Sequence, residues 1–172
     1  MTYATAPDLF ARFDANEIAQ RVDRGVPRLV SSALLQALAA AVLVPAALDV
    51  FNAAELARGQ TAMLVVGRAL QDADDTINSY LSARYTLPIA PVPAVLNRVA
   101  AELARFYLYD DQVTDLIKDR HAANLKWLYE VAKGTVSIGV DTLTSQQPAS
   151  SAGAELVSGG TVWNRATSGG FI

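Results

Sequence analysis

Three prolines within six residues, Pro88, Pro91 and Pro93, cut the chain where a single helix would otherwise run. Each lacks the backbone N–H a helix needs and pushes its predecessor out of the α region. On both sides, apolar residues recur at steps of three and four. Upstream, from Thr61, the residues Val66, Leu70, Ala73, Ile77, Tyr80 and Leu81 share one helical face, with Arg84 in the same register. Gln71, Asp72, Asp74, Asp75 and Asn78 fall mostly on the other side. This helix is expected to stop near Tyr85. Proline suits the first helical position, so a second helix starts at or near Pro93, with Val95, Leu96, Val99, Leu103 and Phe106 inward. The LPIAPVP run between them reads as a stiff connection, with a polyproline II ligand as the other reading. Tyr80, Tyr85, Tyr107 and Tyr109 flank it and are expected to pack it, hydroxyls at its surface. The result is a helical hairpin.

The remaining chain is read as organised around that hairpin. With 172 residues, 52% of them hydrophobic, one domain can hold a sizeable core without covalent staples. The expected fold is all-α: a small helical bundle, a short extended β arm and a flexible C-terminal tail. A helical domain spans 1–140, with an apolar helical insertion at 24–60, and the tail spans 141–172. A net charge of −3 argues against a protein whose main task is gripping nucleic acid. The lack of cysteine removes disulfides and thiolate metal sites. No basic stretch precedes an apolar run at the start, so no secretory signal is expected.

Taken in order, residues 5–13 read as a short helix capped by Thr5 and Asp8, and Ala15 to Val22 as a second, capped by Asp14. Both are too short to stand alone in water and must dock. Gly25 and Pro27 break the chain; Leu34, Leu35, Leu38 and Val42 then form a helix that Pro45 interrupts. Further helical turns carry Leu48, Phe51 and Leu56 to Gly59. Leu29 to Leu48 is uncharged and just long enough to span a bilayer. Its Ser31, Ser32, Gln36 and Pro45, without aromatic anchors, favour a helix buried within the protein or against a neighbouring subunit. After the hairpin, a turn at Asp110 and Asp111 leads into a helix from Thr114 or Asp115. Leu116, Ile117, His121, Leu125, Leu128, Val131 and Ala132 form its apolar face, and Gly134 ends it. Thr135 to Val140 alternates β-branched residues as a strand would and needs a partner from elsewhere. Residues 141–160 read as a flexible linker, and Trp163, Phe171 and Ile172 as apolar anchors near the end.

The candidate sites are few. On a helix, Asp72 and Asp75 share a face while Asp74 points elsewhere, so the three cannot form a metal cage; a solvated acidic face is the expectation. His121 lies in the apolar register of its helix, with no serine or cysteine motif beside it, and reads as structural. Gly59 and Gly67 do not have phosphate-loop spacing. No catalytic residue, metal site or cofactor is expected.

Four segments carry a family resemblance: YATAPDLFARFDANEIAQRVDR, then ALQDADDTINSYLSARYTLPIAPVPAVLNRVAAELARFYLY, then KGTVSIGV, then VWNRATSGGF. The most specific run extends from Asp72 to Tyr109, with its AD-x-x-I-x-x-YL-x-x-RY-x-LP pattern. In this order they resemble the Mu-like phage neck family of small helical head–tail adaptors. The resemblance implies a structural virion protein, made in the host cytoplasm and placed at the neck. It also implies a homo-oligomeric ring matching the portal's twelvefold symmetry, and contact with the portal and with a stopper or tail-completion protein. Genomic DNA would pass through the lumen without specific binding. The segment from Gly25 to about Gly67 departs from the family by being longer and more apolar.

Within that reading, the arm (Thr135, Val136, Ser137, Ile138, Val140) and the tail (Trp163, Arg165, Phe171, Ile172) are the expected contacts to portal or adjacent subunits. Asp72, Asp74 and Asp75 are candidates for the lumen wall, where acidic groups repel phosphates. Other readings are a stopper or tail-completion protein, a helical DNA-binding regulator and a membrane protein.

Overall fold

A reciprocal cap starts the longest helix. The Asn52 side chain accepts hydrogen bonds from the N–H groups of Ala54 and Glu55 at 3.0 and 2.9 Å, and the Glu55 carboxylate accepts the Asn52 N–H at 2.9 Å. In the computed structural model, which describes residues 2–40, 45–110 and 112–140, this helix runs Ala53–Leu81. It is α4, preceded by α1 (Ala6–Arg12), α2 (Ala15–Val22), α3 (Ser32–Ala40) and a 3-10 turn at Pro45–Leu48. Two helices follow, α5 (Ala94–Tyr109) and α6 (Asp115–Lys133). The described residues are helical with no strand.

The break expected at Gly59 and Gln60 is absent. No proline lies between Ala53 and Leu81, and Gly59 serves close packing instead of ending a helix. A Cβ placed there would sit 2.7 Å from Leu38 Cδ1 and 2.8 Å from Leu34 Cδ2 of α3. The bare backbone of α4 is therefore the surface on which α3 rests, and the segment 24–60 is joined to the hairpin through a shared helix.

The hairpin itself is as expected. The α4 residues Ala73, Ile77 and Leu81 and the α5 residues Leu96, Val99 and Leu103 are fully buried. The helix α5 is more enclosed than a one-sided face implies, because Ala100, Ala101 and Ala104 are buried too. It contacts α1, α2, α4 and α6. The connection is fastened to the same core by Tyr85 and Ile89. Tyr107 and Tyr109 do not pack the connection, because α5 carries them about 20 Å away. The Tyr107 hydroxyl meets that of Thr76 at 2.8 Å, and the Tyr109 hydroxyl donates to Glu17 at 2.6 Å. The buried Tyr85 hydroxyl has no partner.

The short N-terminal helices are capped as expected, by Thr5 with Asp8 and by Asp14. They dock on the hairpin and on α3. The coverage of α3 comes from its own chain: it lies against α1, α2 and α4, with Leu34 and Leu35 fully buried. Among the described residues, no helix is long and apolar enough to cross a membrane.

Gly134 ends α6 in the left-handed conformation, with φ +87°. The next residues correct the expectation of a β arm. Residues 135–140 form bends with no strand, and Ile138 turns into the chain's own core, with Val136 and Val140 packed against it. An apolar side chain gains about 2 kcal/mol on burial, which explains why the segment folds back and does not wait for an outside strand. The linker at 141–160 and the anchors Trp163, Arg165, Phe171 and Ile172 lie outside the described residues, as do Val42 and Asp111.

The two central glycines of α4 give a direct test. Leucine at Gly59 must displace Leu34 and Leu38, so Gly59→Leu is expected to lower stability by about 1–3 kcal/mol. Gly67 has open space around its Cβ position, and Gly67→Leu leaves stability unchanged or raised. Urea unfolding of the two variants measures the contrast.

Candidate functional site

Asp74 is where the structure differs most from a solvated acidic face. It is 2% exposed, whereas Asp72 and Asp75 on either side are open to solvent. Its Oδ1 accepts the Tyr3 N–H at 3.0 Å. The Tyr3 hydroxyl donates to Asn78 Oδ1 at 2.6 Å, and the Tyr3 carbonyl accepts from Asn97 of α5 at 3.1 Å. One tyrosine thus fastens the start of the chain to both arms of the hairpin. Burial is the main reason the Asp74 carboxyl titrates above its usual range; the Tyr3 N–H and the charge of the chain's amino terminus oppose the shift, and the charge of Asp75 adds to it. Asp74 is therefore not a surface group for a lumen wall. Asp72 and Asp75 are on the surface, Asp75 while accepting from Gln71 at 3.0 Å.

A second buried carboxylate, Asp23, holds the loop after α2. Its two oxygens accept the N–H groups of Gly25, Leu29 and Val30 at 3.0, 2.7 and 2.9 Å. Arg58 of α4 lies 4.0 Å away across Gly25, whose missing Cβ leaves room for the guanidinium. Burial pushes this carboxyl upward, but the three backbone donors and Arg58 together outweigh it and hold the group below its usual range. A third tie joins α2 to α5, where Glu17 receives Arg105 through two bonds of 2.6 and 2.8 Å. The same guanidinium lies 4.6 Å from the centre of the Phe13 ring.

His121 stacks on Phe106 with ring centroids 3.7 Å apart and planes 14° from parallel. Burial lowers its pKa, favouring a neutral packed ring, the structural part its register indicated. Among the described residues, no group of three histidine or carboxylate side chains is placed to hold a metal ion.

What remains free is surface. On α4, Leu64 is 65% and Val65 37% exposed, about two to three turns ahead of Asp72 and Asp75. Val26 is almost fully exposed beside the Asp23 loop, and Leu116 is exposed at the start of α6. Of the arm residues, Thr135 and Ser137 are exposed, Val136 and Val140 are half-buried, and Ile138 is committed to the core. Neither the tie through Asp23 nor the clamp on Asp74 was read from the sequence. Asp74 had an available signal: Leu70, Ala73, Asp74, Ile77 and Leu81 follow a single inward stripe.

A helical body that fastens its N-terminal segment and the loop after α2 to one hairpin, with apolar and acidic surface left over, is the setting for the comparison with known proteins. Residues 3–156 match the family described as Bacteriophage Mu, Gp36. The chain belongs to that family. It is similar to proteins of a Mu-like prophage and of phage Mu. The Mu-like prophage FluMu protein gp36 of Haemophilus influenzae is 41% identical over 111 residues, covering 62% of this chain and 75% of the relative. Gene product J of Escherichia phage Mu is 36% identical over 101 residues, covering 59% and 72% respectively. The Gp36 match takes in Tyr3, Asp23, Asp74 and the whole hairpin. This is a Mu-like phage protein.

The two buried carboxylates have opposite effects on stability. Asp23, held low, stabilises the fold above the ordinary carboxylate pKa, and that contribution is lost as pH falls through its depressed value. Asp74, held high, weakens the fold when ionised, and the penalty is relieved as pH falls through its raised value. Asp23→Ala leaves three backbone donors unpaired and is expected to cost about 3 kcal/mol near neutral pH. Asp74→Asn is expected to raise the thermal midpoint there. Unfolding curves at a series of pH values check both signs.

Proposed function

We propose that this chain is a structural component of the phage neck, a head–tail adaptor that closes into a ring between the portal and the stopper or tail. The observation that carries the reading is membership of the Mu Gp36 family across residues 3–156, on segments that resemble neck adaptors. The surface is consistent with it. Leu64, Val65, Val26 and Leu116 are apolar groups that the chain's own core does not cover. A head-to-tail contact repeated around a closed ring buries one such patch against a different one on the next copy. The expected ring has twelve copies, matching the portal, and leaves a lumen through which genomic DNA moves without specific binding.

In this reading, Thr135 and Ser137 with the half-buried Val136 and Val140 form part of the contact to the portal or adjacent subunit, and Ile138 fixes the segment's position from within. Trp163, Arg165, Phe171 and Ile172 supply further contacts. Asp72 and Asp75 face the lumen, where their charge keeps phosphates from settling on the wall. The body acts by shape and assembly, without bond-making chemistry, and works within the virion after synthesis in the host cytoplasm. A stopper or tail-completion protein of the same neck is the alternative, and portal binding separates them: an adaptor binds portal directly.

Mass measurement and electron microscopy of the protein alone and mixed with portal test the proposal. The expected result is a ring seated on the portal; a chain that ignores the portal overturns the adaptor assignment. Deleting residues 161–172 is expected to leave the helical body folded, by circular dichroism, while blocking head–tail joining in a complementation assay. Normal joining by the truncated protein would remove the tail from the interface. Charge reversal at Asp72 and Asp75 to lysine is expected to slow DNA ejection from assembled particles, and more so at low salt. Unchanged ejection kinetics would place that face away from the lumen.

A further inference from the structure

Beside the Tyr3 clamp, the structure leaves one polar atom without a partner. Asp74 Oδ1 takes the Tyr3 N–H, but Asp74 Oδ2 is buried and, among the described residues, accepts nothing. A buried acceptor with no donor carries its whole desolvation cost, and more so when it is charged. The carboxylate also lines a recess of about 350 Å³ whose other walls are Tyr3, Gln71, Asn78, Leu87 and Pro88. None of those lining residues is basic; the charge of the chain's amino terminus acts on Asp74 from outside this lining, and Asp72 and Asp75 flank it on the same turn of α4.

We propose that this recess binds a single alkylammonium group, with its N–H donors on Asp74 Oδ2 and on the side-chain oxygens around it. The donor set favours that cation over others. A guanidinium seeks both oxygens of a carboxylate in parallel, and Oδ1 is already occupied by Tyr3. An ammonium is a compact charge with three rotatable donors, which one free carboxylate oxygen and nearby amide and phenol oxygens can accept. A divalent metal needs six or more oxygen ligands, or several carboxylates, and the recess has one. Leu87 and Pro88 supply an apolar wall for the methylene stem that accompanies such a group. An asparagine at this position would keep the Tyr3 bond and avoid the cost, so a carboxylate here accords with a bound cation. The site stands independently of the adaptor assignment.

The test uses the full-length chain and n-butylammonium, with methylguanidinium and n-butanol as matched controls. The readouts are the backbone amide resonance of Tyr3 and the thermal midpoint. The amine is expected to give a saturable shift of the Tyr3 resonance with a Kd in the millimolar range, about tenfold tighter than either control. Asp74→Asn should abolish that response while its own midpoint rises, which shows that the loss is not one of folding. A wild-type chain with no saturable response, or an Asp74→Asn chain that responds equally, overturns the proposal and leaves water or the chain's own amino terminus as the partner of Oδ2. Spermidine and N-acetyl-lysine amide present the same group from different sources. Tighter binding of spermidine marks a free polyamine site, and tighter binding of the lysine derivative marks the side chain of another protein.

Discussion

The enclosure of α5 is the constraint on which the other elements depend. Three alanines, Ala100, Ala101 and Ala104, are buried alongside Leu96, Val99 and Leu103, so that helix presents a narrow waist on several sides. Small side chains let neighbouring backbones come close, and the larger ones fill the gaps between them at the density of a packed interior. With α1, α2, α4 and α6 all against it, the helix is a shared wall, and no one of its neighbours could be removed without exposing apolar surface. The two prolines nearest its start, Pro91 and Pro93, serve this arrangement by turning the chain before α5 begins.

Non-directional packing does not by itself choose one docking position for helices of seven and eight residues. The polar ties do that. Tyr3 joins residue 74 of α4 to residue 97 of α5, Glu17 grips Arg105, and Asp23 gathers three N–H groups of its own loop beneath Arg58. Each tie joins a segment near the start of the chain to a helix far along it. Their net contribution to stability is modest, since such bonds replace bonds to water. Their contribution to register is larger, because a buried carboxylate has few places where it can be satisfied.

This division explains which parts of the fold could be read from the sequence. Periodicity, proline and cap chemistry are local, so the hairpin, the Thr5 and Asp14 caps and the glycine stop at residue 134 were legible. Gly59 was misread as a boundary because its role, close approach by α3, depends on residues some 20 positions away. Ile138 was assigned to a strand by its β-branched neighbours, and tertiary burial overrode that preference. Asp74 sat in the inward stripe all along, but an acidic cluster reads as surface until its partner, a backbone N–H at residue 3, is known. Among the described candidate contact residues, Thr135, Ser137, Asp72 and Asp75 are exposed, whereas Ile138 and Asp74 are buried.

The unbroken course of α4 has a mechanical consequence. Its 29 residues make a rod about 44 Å long, with α3 resting near one end and the Tyr3 clamp near the other. A proline-free helix bends little under small loads, so a tilt forced on it at Asn52 reappears at Asn78 as a rigid rotation. In any stacked assembly, strain arriving on one face of this protein would be conveyed to the opposite face by the lever itself, with no need for the core to rearrange.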